Sequence, residues 1–96
     1  MKLYELITFT VRVRTVATAM ACLEQRLAVD DAAVKLVGCW ASEIGPLNQI
    51  AVLRGFVDEA SRQAERERYL SSADVFGIEA YLTDMRVESY TLFPFI

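Results

Sequence analysis

The period of the apolar pattern changes along this chain, and those changes restrict the fold more than any short motif does. Residues 3 to 12 alternate strictly, with Leu3, Glu5, Ile7, Phe9 and Val11 on one face and Tyr4, Leu6, Thr8, Thr10 and Arg12 on the other, which is the pattern of a strand. From Thr15 the spacing lengthens. Val16, Met20, Leu23 and Leu27 recur at steps of four, three and four, the stripe of a helix, with alanines adding propensity and Asp30 and Asp31 marking the exit. Residues 34 to 43 return to strand character, Ile44, Gly45 and Pro46 make a reversal, and a third strand from 48 to 56 completes a hairpin. Asp58 is placed to cap a mostly polar helix, with Asp58 and Arg62 four apart, Glu65 and Arg68 three apart, and only Ala60, Ala64 and Tyr69 available to bury. After it, the segment from Asp74 reads as a short helical piece carrying Val75, Ile78 and Leu82 on one side. Residues 85 to 93 read as a fourth strand, stopped by Pro94.

Strand, helix, strand, strand, helix, strand is the order of a ferredoxin-like α+β domain, in which four antiparallel strands carry both helices on one face. At 96 residues there is room for one such domain, spanning 1–96, and no repeat or linker divides it. Both faces of the sheet are apolar by strand alternation. Tyr4 and Leu6 oppose Leu3, Ile7 and Phe9; Val34, Leu36 and Trp40 oppose Val37, Cys39 and Ala41; Ile50, Val52 and Phe56 oppose Ala51 and Leu53. Two helices cover one face, and an antiparallel sheet facing water on the other would be polar there. A second copy of the sheet is the expected cover, with the apolar tail of Leu92, Phe93, Phe95 and Ile96 lying along the partner.

Composition narrows the chemistry. The chain contains no histidine, which removes Ser-His-Asp and Cys-His catalysis and histidine metal sites. Thirteen acidic against ten basic residues leave a net charge of −3, unsuited to nucleic acid. Cys22 and Cys39 lack metal or redox spacing and are read as small buried hydrophobes in a cytoplasmic protein. Residues 1 to 14 read as a strand and not as a leader, and no apolar run is long enough for a bilayer span. The glycines never approach a phosphate-loop spacing, so a nucleotide is not expected, and no other cofactor is called for.

Four residues stand out as candidates for a ligand site. Glu5 shares a face with Leu3, Ile7 and Phe9, where desolvation would make a general base, although a salt bridge to Arg54 or Arg86 is the better reading. Trp40 offers a flat wall, and core or interface packing competes for it. Asn48 follows the reversal and would orient a substrate oxygen or bond nearby backbone. Tyr4 joins Trp40 in lining a pocket between sheet and helices. The charged run Arg62, Glu65, Arg66, Glu67 and Arg68 reads as a solvated helix face.

The opening Tyr4-Glu5-Leu6, the pair Gly38-x-Trp40, the turn Glu43-Ile44-Gly45-x-Leu47-Asn48-Gln49 and the run Glu65-Arg66-x-Arg68 together resemble the NIPSNAP family over nearly the whole chain. The resemblance implies a dimeric α/β-barrel and no assigned reaction. Typical members carry an arginine where this chain has Ile7, and a His-Leu-Trp-x-Tyr stretch where it has Val52, Leu53, Arg54, Gly55 and Phe56. The expected function is therefore a homodimeric protein binding a small apolar molecule. The rival is a cofactor-independent monooxygenase acting on aromatic or polyphenolic substrates, a reaction class found on the same barrel.

Overall fold

In the computed structural model, which describes residues 2–27, 31–93 and 95, the six elements follow the expected order. They are β1 (Leu3–Val11), α1 (Val16–Leu27), β2 (Val34–Ala41), β3 (Gln49–Phe56), α2 (Glu59–Ser71) and β4 (Leu82–Thr91). The sheet is antiparallel throughout, in the order β2-β3-β1-β4, and both helices lie on one side of it in the ferredoxin-like manner. The proposed helix exit at Asp30, the strand stop at Pro94 and the tail residue Ile96 lie outside the described residues.

The core forms where alternation predicts it. Ile7, Phe9 and Val11 of β1 and Ile50 and Val52 of β3 meet Ala19 and Leu23 of α1, all essentially sealed from solvent. Asp58 caps α2, its carboxylate accepting from Ser61 N at 2.8 Å and from Ser61 Oγ at 2.7 Å. Arg62 pairs with Glu59 instead of the expected Asp58. Glu65 and Arg68 do pair, at 3.1 Å. No side chain of α2 is buried, and Ala60 and Ala64 face solvent.

Three local readings change. Residues 73–81 form successive turns and no helix, because Asp74 and Gly77 both take positive φ, 48° and 73°, and break the helical ladder. Asp74 Oδ1 accepts from Glu79 N at 3.0 Å, and the turns drive Val75, Phe76 and Ile78 into the core. Phe76 stacks edge-on against Phe9 at 5.2 Å, and β4 then starts at Leu82, earlier than expected. In β2 the register slips between Leu36 and Gly38, leaving Val37 as the extra residue of a bulge. The slip inverts the face of everything after it. Cys39 turns toward α1, its Sγ 3.8 Å from Met20 Sδ, while Trp40 joins Gly38 on the face away from the helices. A Cβ on Gly38 would stand 2.5 Å from the Trp40 ring, so glycine is needed for the indole to fold back over the strand.

The uncovered face carries Tyr4, Leu6, Ala51, Leu53 and Trp40 together with the polar Thr8, Thr10, Lys35 and Gln49, and it is polar on the fourth strand. Register opposite Thr8, Leu6 and Tyr4 puts Arg86, Glu88 and Tyr90 there; Arg86 pairs with Glu88 at 3.2 Å, and the Tyr90 hydroxyl donates to the same carboxylate at 2.7 Å. Phe93 and Phe95 are both exposed and stack on each other at 6.2 Å.

Candidate functional site

Glu5 and Arg54 are the charged interruptions of two apolar strand faces, and register sets them directly opposite each other. Both are buried, at 7% and 6% exposure. Arg54 Nη2 donates to Glu5 Oε1 at 3.0 Å, and Arg54 Nη1 reaches up to Glu65 Oε2 of α2, also at 3.0 Å. Arg54, not Arg86, is therefore the partner of Glu5, since Arg86 projects from the opposite face. The guanidinium carbon stands 5.4 Å from the Phe56 ring and 5.5 Å from the Phe76 ring, a cation held between aromatic faces. Arg54 Nε is buried and has no hydrogen-bond partner among the described residues.

The ionic cluster forms one wall of a cleft. Beneath α2, between β1 and β4, a space of about 360 Å³ opens over a floor of Ile7, Phe76, Met85 and Val87. From α2 come Arg62, Glu65, Arg66 and Tyr69, spaced so that one helical face looks down on the sheet. Burial pushes the Glu65 carboxyl up, but the hydrogen bond from Arg68 and the guanidinium charges of Arg54 and Arg68 outweigh it and hold the group below the ordinary carboxylate range. The cleft thus combines a hydrocarbon floor with a wall of fixed charges.

Of the four candidates named from sequence, only Glu5 lines this cleft. Tyr4 and Trp40 are on the other face of the sheet, on strands separated by β3, so they do not wall a pocket under the helices. Asn48 ends the hairpin loop with φ of 62°, and its carbonyl accepts from Val11 N at 2.8 Å. With Gly45 at φ 105°, it makes the conspicuous turn motif a backbone device: two left-handed residues reverse the chain, and the Ser42 hydroxyl closes onto Pro46 O at 2.6 Å. Burial pushes the Cys39 thiol up, so it is held as a thiol and not as a nucleophile. Sequence reading missed Phe76, Met85 and Val87 as site residues and placed Glu65 on a solvated face. The signal for Glu65 was Arg54 itself, a cation among the apolar residues of β3.

A single sheet with two helices on one face and a half-apolar cleft beneath the second helix defines a ferredoxin-like α+β domain with a ligand-sized space. The model of the NIPSNAP family matches residues 4–95, and the chain belongs to that family. A NIPSNAP domain protein of Burkholderia xenovorans is similar in structure, with 21% identity, a TM-score of 0.76, and coverage of 98% of this chain and 97% of that one. A NIPSNAP family protein of unknown function from Agrobacterium tumefaciens has 19% identity and a TM-score of 0.74, covering 99% and 91%. A Nitrosomonas europaea protein provisionally named an antibiotic biosynthesis monooxygenase shares the fold at 12% identity and a TM-score of 0.66, covering 92% and 95%. Among curated proteins none matches the sequence significantly. Among the described residues no helix is long and apolar enough to cross a membrane, and no group of three or more His, Cys, Asp or Glu side chains is arranged to hold a metal ion.

Proposed function

We propose that this NIPSNAP protein binds a small, largely apolar molecule in the cleft under α2, with Glu5 among the contacts. The observation that carries the reading is the floor of Ile7, Phe76, Met85 and Val87 beneath a helix that buries none of its own side chains. Val87 is about half exposed although it points to the helical side of the sheet, which leaves hydrocarbon unsatisfied there. The test is titration with a panel of apolar small molecules followed by amide chemical shifts. Perturbations centred on Met85 and Val87 and abolished by Val87→Trp are expected; a panel without binding ends the proposal.

The domain functions as a homodimer in the cytoplasm, its sheets pairing through the face that carries Tyr4, Leu6, Trp40 and Leu53. Trp40 is 52% exposed, and large apolar residues concentrated on one sheet face favour a protein cover over water. Two free cysteines fit a reducing compartment. Sedimentation should give twice the protomer mass, and Leu53→Asp should give the protomer. A second reading, a cofactor-independent monooxygenase, draws on the likeness to the Nitrosomonas europaea protein. Against it, the carboxylate nearest the cleft floor is committed to Arg54 and poorly free to act as a base. Oxygen uptake with polyphenols would favour this reading over simple binding.

A further inference from the structure

The chemical class of the ligand can be narrowed, on the premise that the cleft is a ligand site. Its walls carry Arg54, Arg62 and Arg66 against Glu5 and Glu65. The partners reaching in from outside, Glu59 on Arg62 and Arg68 on Glu65, add one charge of each sign. One positive charge is left over in a chain whose net charge is −3. Arg66 is that excess, for it makes no ion pair among the described residues. Arg54 cannot serve an incoming anion in the same way, because its terminal nitrogens answer two carboxylates and its Nε is sealed from solvent.

We propose that the cleft takes a monocarboxylate with an apolar body, aromatic or of medium chain length, whose carboxylate is held at the α2 wall by Arg66 while its body rests on Ile7, Phe76, Met85 and Val87. A cationic ligand has no free carboxylate to meet, because Glu5 is taken by Arg54, and Glu65 by Arg54 and Arg68. A phosphate dianion would bring two charges to a site with one to spare, beside two carboxylates. The volume of about 360 Å³ is at the small end of the range for small-molecule pockets, roughly 300–1,000 Å³, which suits a single small acid.

The experiment compares 2-naphthoate and octanoate with their neutral primary amides by calorimetry on the full chain. For each pair the acid is expected to bind about tenfold more tightly than the amide, a difference that shrinks with added salt and disappears in Arg66→Gln, a solvent-facing substitution that leaves the core intact. Val87→Trp fills the floor and should abolish binding of acid and amide alike. If acid and amide bind equally in the wild type, the carboxylate inference is overturned while the apolar-ligand reading stands. If neither binds at millimolar concentration, both fall. An acid preference that survives Arg66→Gln, or binding that survives Val87→Trp, places the ligand elsewhere and overturns the assignment.

Discussion

The two helices lie on one face of one sheet and are held there by opposite means. α1 sets Ala19 and Leu23 into the core with no measurable exposure, an apolar seam that closes to van der Waals contact. α2 buries nothing and is tied down by Arg54 gripping Glu65, with Tyr69 tilted over Phe76 at 5.7 Å. The difference explains where the cleft is. Apolar contact is non-directional and closes gaps, whereas an arginine–carboxylate bridge fixes a distance set by two long side chains. The cleft floor is sealed at Ile7 and Phe76 and left half exposed at Val87.

The contrast is most severely tested at Arg54. Removing it as Arg54→Ala leaves the buried Glu5 carboxylate without a counter-charge and frees α2 from the sheet, so about 4 kcal/mol of stability should be lost in urea unfolding. Replacing the cluster together, as Glu5→Leu with Arg54→Met and Glu65→Leu, should recover much of that loss, because no buried charge is then stranded. If Arg54→Ala alone costs under about 1 kcal/mol, α2 is seated by something other than the bridge.

For α1 the matching test is Leu23→Ala, expected to cost about 3 kcal/mol from lost burial and the cavity left behind. Salt should not alter that cost, since no charge is involved. A loss near zero would mean that α1 is no better seated than α2.

Acid sharpens the comparison further. The Glu65 carboxyl titrates lower in the folded chain than in the unfolded one, so its ionised form favours the fold. That contribution is complete above the ordinary glutamate value of about 4.3 and is lost as pH falls through the lower folded value. Glu65→Gln should therefore cost about 2 kcal/mol at pH 7 and show a smaller drop than the wild type on going to pH 3, measured by urea midpoints. Asp58 and Glu59, also held low by hydrogen bonds from Ser61 and Arg62, keep some acid sensitivity in the variant. Equal drops in both proteins would show that Glu65 is not part of the acid-labile link.

How much of this was legible depended on whether a segment had a phase to read. β1 alternates cleanly, so its faces were correct, and the stripe of α1 led straight to Leu23. β2 did not, because Leu36, Val37, Cys39 and Trp40 are apolar on both phases and nothing in the pattern marks Val37 as a bulge; Trp40 was assigned to the wrong face for that reason. In the turns after α2, Val75, Ile78 and Leu82 fit a helical spacing by coincidence, and the left-handed backbone at Asp74 and Gly77 overrode it. Phe76 reached the core through those turns and was missed as a site residue with them. The charges were half legible: Glu5 and Arg54 each stood out on an apolar face, but only the register could choose Arg54 over Arg86. Glu65 needed the helix to be placed over β3 before it differed from its solvated neighbours.

The smallest effect is the most discriminating for the cleft itself. Leu70 lies at its rim with 71% of its surface in solvent, so truncation removes little hydrocarbon from a buried setting. Leu70→Ala should change stability by less than about 0.5 kcal/mol, the ordinary range for a surface site, although the same deletion at Leu23 costs several times more. Two leucines on two helices over one sheet then differ only in whether the helix has closed on its floor. A cost above about 1 kcal/mol at Leu70 would mean that α2 settles onto the sheet in solution and that the space beneath it is filled by the protein's own side chains. A negligible cost, joined to a large one at Arg54, leaves α2 tied by a charge bridge beside hydrocarbon half exposed at Val87, which is the condition under which a small apolar molecule gains more from entering the cleft than from staying in water.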